Sequence, residues 1–406
     1  MIGNKQKKIL AFGYTSHDAI ICDGAVRSGK TSLLMVSFVD WAMRSFDRQL
    51  FGICGKTVDS ATKNIVVPYI SLSYAQERYS IHWKRMDKVL EVRQGNRINR
   101  FEVFGGRDES SFALIQGRTF AGCLLDEVVL QPESFVQQAL ARCSVDNSKL
   151  WFSCNPGNPA HWFYQTWIQH AKERNAYYLH FTMRDNPSLS EKTLARYESM
   201  YSGVFYQRYI LGQWVAAEGV VYDCFSQDRN VYSVRPSHVN ETAATKTVAI
   251  DYGTQNPTRF LEIWDTGEAI YVDREYSWDG RAEMQQKTDA EYADDLIAFL
   301  GGAWCSIIVD PSAASFIAEL RRRGLYVIPA ENSVLDGIRR VSALLSRREI
   351  LVCTDCKELL NEFGNYVWDK NASLHGDERP VKQFDHSLDA LRYYINSLPD
   401  WRFGNG

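Results

Sequence analysis

The chain has 406 residues, 45% of them hydrophobic and 23% charged, with a formal net charge of −3. This balance predicts a folded protein of two or three domains, and it confines any nucleic-acid contact to local basic surface. Nine cysteines scattered through apolar segments predict reduced, buried thiols; Cys353 and Cys356 have no second ligand pair at zinc-finger spacing. The lysines at 5, 7 and 8 precede too short an apolar run for a signal peptide, and no later stretch is long enough to span a membrane, so a cytosolic protein is expected.

In chain order, the first signal is Ala19-Ile20-Ile21-Cys22, a short buried strand. It leads into Gly24 to Thr31, which follows the pattern G-x-x-x-x-G-K-S/T, and then into an apolar run from Ser32 that starts a helix. Strand, glycine loop and helix in that order predict a nucleotide site. Backbone N–H groups of the loop, with Gly24, Arg27, Ser28 and Gly29 in it, point at phosphate oxygens. Lys30 reaches the β- and γ-phosphates, and the Thr31 hydroxyl ligates magnesium.

Gln49 to Cys54 predicts a second buried strand, and Thr57 to Tyr79 a largely helical segment interrupted at Pro68. Val89 to Val92 and Ile98 to Phe104 form a hairpin about Gln94-Gly95-Asn96. Ala121 to Glu127 is an apolar strand ending in two acids: Asp126 to hold magnesium through water and Glu127 to polarise the attacking water. Leu150 to Pro156 is another strand with a polar tip, where Ser153 and Asn155 either sense the γ-phosphate and relay its loss or simply open a turn. Arg142 and Arg27 are the candidates for an arginine finger, Arg142 toward its own site or a neighbouring subunit; solvated surface arginines are the alternative. From Trp162 to Gln213 the aromatic-rich chain is expected to be mostly helical, its rings in the core. The pattern weakens over 215–245, which is read as a linker between a first domain at 1–214 and a second at 246–406.

The second domain begins with three antiparallel strands, Thr247 to Asp251, Arg259 to Trp264 and Ala269 to Val272. A helix around Asp289 to Leu300, a strand from Ser306 to Asp310, a helix, a strand from Leu325 to Pro329 and further helices follow. That is the layout of an RNase H-like nuclease. Asp251 ends its first strand, Asp310 ends its fourth, and Asp389 lies on a helix starting near Asp385, with His386 three residues away on the same face. Carboxylates converging from separate elements can hold two magnesium or manganese ions. Asp273, Glu275 and Asp385 are either auxiliary ligands or, as expected, solvated acids. Arg321 to Arg323, Arg339-Arg340 and Arg347-Arg348 are either phosphate contacts or charged helix faces.

Taken in order, Gly24 to Thr31, Leu124 to Glu127, Ser153 to Pro156, Ile250 to Gly253, Val309 to Ser312 and Asp385 to Tyr393 resemble the large terminase subunit of tailed double-stranded DNA bacteriophages. The likeness spans nearly the whole chain; Leu211 to Trp214 and Glu218 to Tyr222 are similar to that family's passage between domains. The resemblance implies an α/β protein, a P-loop ATPase of the catalytic-glutamate type on a mostly parallel sheet followed by an RNase H-like nuclease. It implies ATP with Mg2+ at Lys30, Thr31, Asp126 and Glu127, coupling through Ser153 and Asn155, and two Mg2+ or Mn2+ ions at Asp251, Asp310 and Asp389, with His386 added in some members. It also implies double-stranded DNA, a portal protein on a procapsid, a small terminase subunit and a ring, usually of five copies, in the host cytoplasm. No glutamine-centred adenine motif is evident before Asp23. The residues alone also admit a helicase-nuclease, a transposition protein, or a DNA-binding scaffold with an inactive nuclease fold.

Overall fold

The computed structural model describes residues 2–240, 242–253 and 256–403, the side chain of Trp401 excepted. It divides into two compact units: Met1–Leu194 with Tyr206–Ala216 and His375–Asp377, and Ala195–Phe205 with Ala217–Leu374 and Glu378–Gly406.

The first unit is built on eight strands: β1 Ala19–Gly24, β2 Leu50–Gly55, β3 Ser80–Lys84, β4 Val89–Gln94, β5 Arg97–Gly105, β6 Gly122–Leu125, β7 Lys149–Ser153 and β8 Ala176–Phe181. They lie in the order β3-β4-β5-β2-β6-β7-β1-β8. From β5 to β8 all neighbours are parallel, and only the β3-β4-β5 edge is antiparallel. A parallel sheet covered on both faces needs apolar side chains pointing both ways, which is why β1 and β6 are buried along their whole length. On β7 the two faces are visible in adjacent residues. Trp151 packs 4.9 Å from Phe38 of the helix Lys30–Ser45, and Phe152 packs 4.8 Å from Trp167 in the core of the opposite face.

One expectation fails here. The stretch 162–213 is not mostly helical: β8 lies inside it, pairing in parallel with β1 from Ala19↔Ala176 to Gly24↔Phe181. Its Ala-Tyr-Tyr-Leu-His-Phe sequence is rich in β-favouring aromatics, and the pairing with β1 decides its conformation. The expected hairpin of β4 and β5 is present and gains a third strand, β3, a five-residue polar–apolar alternation, Ser-Ile-His-Trp-Lys, at the edge of the sheet.

The second unit holds seven strands: β9 Val231–Tyr232, β10 Thr245–Asp251, β11 Thr258–Asp265, β12 Ile270–Trp278, β13 Ser306–Val309, β14 Val327–Pro329 and β15 Ile350–Cys353, in the order β14-β13-β10-β11-β12-β15-β9. The β10-β11-β12 core is antiparallel and the outer strands join in parallel. β15 lies where only further helices are expected. The segment read as a linker also contributes to this sheet. Val231 and Tyr232 pair with Val352 and Cys353, and Val220 bridges Val367; a two-residue strand is too short to show a period.

Val248 and Ile250 of β10 point into a core with Tyr292 and Leu296 of the helix Asp289–Leu300 and with Phe316 of the helix Ala314–Arg322. Ala249 and Asp251 therefore face the other side. There the helix His386–Ser397, buried over most of its length, meets Asp251. The period of two in one strand thus turns a carboxylate toward the catalytic-helix candidate.

Candidate functional site

In the first unit β1 delivers the glycine loop. Gly24 has φ +120°, and a Cβ there would sit 1.9 Å from the carbonyl oxygen of Phe181 on β8, so only glycine fits. Gly29 (φ 80°) and Arg27 (φ 55°) are also left-handed. The loop backbone is braced from four directions: Ala25 N donates to Phe181 O (2.8 Å), Val26 N to Tyr209 O (3.0 Å), the Asn186 amide to Arg27 O (2.7 Å) and the Gln6 amide to Ser28 O (3.3 Å). Just before the loop, fully buried Asp23 accepts from the Trp214 indole (2.8 Å), and His180 Nδ1 lies 3.0 Å from its other oxygen. Gln6, Asn186 and Trp214 are remote from the loop in sequence, so no local motif announces these braces.

Lys30 is buried, which lowers its pKa; its ammonium donates to Gly24 O (2.8 Å), Ala25 O (2.7 Å) and Asn155 Oδ1 (3.3 Å). The Thr31 hydroxyl donates to Asp126 Oδ1 (2.9 Å), and the Ser153 hydroxyl donates to the same oxygen. The Ser153 hydroxyl oxygen in turn accepts from the Glu127 amide at 3.3 Å. Burial pushes the Asp126 carboxyl up, opposed by these two hydroxyls and by Lys30. Its backbone carbonyl is held by Gln131 (2.7 Å). Glu127 follows in the left-handed region, φ 52°; a non-glycine residue held there at the end of a strand is strained, as residues at functional sites often are. Lys30, Thr31, Asp126, Glu127, Ser153 and Asn155 therefore form one hydrogen-bonded cluster at the carboxyl ends of β1, β6 and β7, where α/β sheets hold ligands.

Arg142 is elsewhere. Its carbonyl accepts from Phe120 N ahead of β6, whereas Asp126 follows that strand, roughly 20 Å away at 3.3 Å per residue. Its side chain cannot span that distance, so Arg142 can act as a finger only toward another copy. Arg27 is exposed on the loop itself.

In the second unit the three acids arrive as expected, from β10, from the loop after β13 and from the helix His386–Ser397. Asp251 Oδ2 lies 2.8 Å from His386 Nδ1, and Asp251 Oδ1 accepts from the Tyr393 hydroxyl at 3.2 Å. Asp310 is buried enough to raise its pKa, but bonds from Ser312, Tyr393 and Asn332 win and hold it low; Ser312 N is 2.7 Å away. Asp389 is pushed up to about 6, chiefly by burial, despite its ion pair with Arg392 at 2.8 Å. Asp251 and Asp385 add like charge to it. The His386 pKa is raised overall: burial lowers it, and Asp251, Asp385 and Glu362 outweigh that.

Hard carboxylate oxygens suit divalent magnesium or manganese. However, among the described residues no three His, Cys, Asp or Glu side chains stand close enough to hold one ion. Tyr393 bonds both Asp251 and Asp310, and Arg392 pairs with Asp389. The donor chemistry fits such ions.

The expectation of solvated auxiliary acids also fails for two residues. Asp385 is buried, and Glu275 accepts from Ser387 and from the amides of Glu358 and Leu359. Asp273 pairs with Arg235 (3.3 Å). The arginine runs fit charged helix faces: Arg322 pairs with Glu319, Arg323 with Asp294 and Glu319, Arg339 with Asp336, Arg340 with Asp400 and Arg347 with Glu349.

Residues 21–227 match the family described as "Terminase large subunit, T4likevirus-type, N-terminal", and residues 248–398 match the "Terminase RNaseH-like domain". The chain belongs to the large terminase family. The large terminase of a thermophilic bacteriophage has a crystal structure that superposes with a TM-score of 0.92, at 47% identity over 98% of this chain and 99% of that one. Structures of the same phage's protein with ADP and with ATP-gamma-S give TM-scores of 0.90 and 0.89, each at 46% identity and the same coverage. The large terminase subunit of Escherichia phage T5 is 26% identical over 341 residues, covering 79% of this chain and 75% of the T5 protein.

Proposed function

We propose that this large terminase hydrolyses ATP at the cluster of Lys30, Thr31, Asp126 and Glu127 to drive double-stranded viral DNA into a procapsid, and cuts concatemeric DNA with its RNase H-like unit. The observation that carries the first half is the shared oxygen of Asp126, which receives hydrogen bonds from both Thr31 and Ser153. It joins the loop that faces phosphate, the acid pair and the next strand into one switchable set.

Lys30 turns from the loop carbonyls to the β- and γ-phosphates, and Glu127 orients the attacking water. Thr31 and Asp126 would hold Mg2+, which when bound neutralises charge developing on the phosphates. β7 senses the result, because Asn155 touches Lys30 while Ser153 touches both Asp126 and the Glu127 amide. Loss of the γ-phosphate changes what Lys30 and Asp126 bind, and so changes the pull on β7. Arg142 serves a neighbouring copy in a ring, of five subunits by family resemblance, docked on a portal protein with DNA chosen by a small terminase subunit in the host cytoplasm. Arg27 remains the candidate within the same site.

In the nuclease unit, Asp251, Asp310 and Asp389, with His386, would hold two Mg2+ or Mn2+ ions, which supply a water nucleophile and stabilise the leaving oxygen. His386 keeps Asp251 oriented, and Arg392 holds Asp389 in place and opposes the effect of its burial. The test is cleavage of supercoiled plasmid by intact protein and Asp310→Ala, with ATP turnover followed on the same samples. Loss of cutting with turnover intact supports two separate sites; equal cutting by both proteins refutes the nuclease assignment.

A further inference from the structure

The first turn of the helix His386–Ser397 carries both His386 and Asp389, and the free amides of such a turn need acceptors. Its cap residue, Asp385, supplies no side-chain bond. The acceptors come from elsewhere. Leu388 N donates to Glu362 Oε2 at 2.9 Å, and the Ser387 hydroxyl donates to Glu275 Oε1 at 2.5 Å. Glu362 sits on the helix Lys357–Asn365, and Glu275 on β12. Glu275 also caps that second helix, accepting from Glu358 N (2.9 Å) and Leu359 N (3.1 Å). The bonds close a circuit from β12 to the first turn of one helix, along it to Glu362, across to Leu388 and back through Ser387 to β12.

Glu362 is 3% exposed, and burying a carboxyl this deeply costs free energy that one helix cap barely offsets. Arg259, 6% exposed and paired in register with Asp251, is the cation that faces both glutamates, with Nη2 3.3 Å from Glu358. The whole device therefore stands directly behind the acids.

We propose that Glu275 and Glu362 are positioning residues of the nuclease, fixing the rotation and depth of the turn that presents His386 and Asp389 to Asp251. The proposal rests on the assignment of those acids. It is tested in the full-length protein with Glu362→Gln, which keeps an oxygen acceptor, Glu362→Leu, which removes it, and Ser387→Ala, which opens the circuit at its other joint. Amide hydrogen exchange over 386–391 is read in EDTA, plasmid cleavage in manganese, and ATP turnover alongside.

The expected result is exchange faster by about tenfold or more and cleavage slower by about tenfold to a hundredfold in Glu362→Leu and Ser387→Ala. Glu362→Gln stays near wild type, and ATP turnover is unchanged in all three. Wild-type exchange and cleavage in Glu362→Leu overturn the proposal, as does an equal loss in Glu362→Gln. If Glu362→Leu does not fold, Ser387→Ala decides by the same criteria. An Asp389→Asn protein that cuts normally also overturns it, through the acid assignment; the exchange response in EDTA tells that failure apart.

Discussion

Oγ1 of Thr31 stands 2.9 Å from Oδ1 of Asp126, so a residue in the first turn of a helix and one 95 positions later at a strand tip share one proton. Ser153 donates to the same oxygen and accepts from the next amide. Replacing Ser153 with alanine breaks both bonds while leaving the loop intact. ATP turnover should fall about tenfold, the kinetic equivalent of roughly 1.4 kcal/mol, with nucleotide affinity unchanged. Steady-state turnover and titration with a fluorescent nucleotide separate the two, and wild-type turnover would remove Ser153 from the coupling role.

Lys30→Ala and Glu127→Gln should divide binding from chemistry. Without Lys30 the phosphates lose their cation, and both affinity and turnover drop, turnover by about a hundredfold or more. With glutamine at 127 the amide and its bond to Ser153 remain, so nucleotide still binds while hydrolysis is lost. Plasmid cutting by either variant should match wild type; a parallel loss of cutting would contradict two independent sites.

Gly24→Ala is expected to be more damaging than an ordinary loop substitution. The new methyl would fall 1.9 Å from Phe181 O at a φ that L-residues avoid, so β8 or the loop must shift. Thermal unfolding should show a lower midpoint for the first unit, with nucleotide no longer raising it. A wild-type midpoint with normal nucleotide stabilisation would refute the close approach.

Glu362 gives a pH prediction for stability. Burial raises its pKa to about 8, against 4.5 for an ordinary glutamate. Between those values the folded state binds more protons than the unfolded one, so this contribution to stability falls as pH rises and is lost above about 8. Glutamine mimics the protonated acid without titrating. The unfolding midpoint of the second unit should therefore drop more between about pH 6 and about pH 9 in wild type than in Glu362→Gln; identical slopes would show that Glu362 titrates normally.

The parts of the fold that could be read from sequence are those whose cause is local. Gly24, Gly29, Lys30 and Thr31 are neighbours in the chain, and one strand-loop-helix passage determines their arrangement. The Asp-Glu pair at 126–127 and the order of three antiparallel strands before Ser306 are similarly compact signals. What escaped depends on partners far away. β8 is a strand because β1 lies beside it, and β9 because β15 does. Glu275 and Asp385 look like solvent acids until the fold packs a helix over them. Arg142 is close to the acid pair in sequence, yet the helix Glu133–Ala141 carries it back to the opposite end of β6. The wedging of Tyr393 between Asp251 and Asp310 could be seen in no spacing, because it depends on which strand ends the helix meets.

The bond from Trp214 to Asp23 has a mechanical consequence. Trp214 lies in the last stretch of the first unit before the chain enters the second at Ala217, and Asp23 immediately precedes the glycine loop. A load on the chain at that crossing would be borne within a few residues by a part-buried hydrogen bond to Asp23, at the root of the glycine loop. The tether and the fuel site share a foundation.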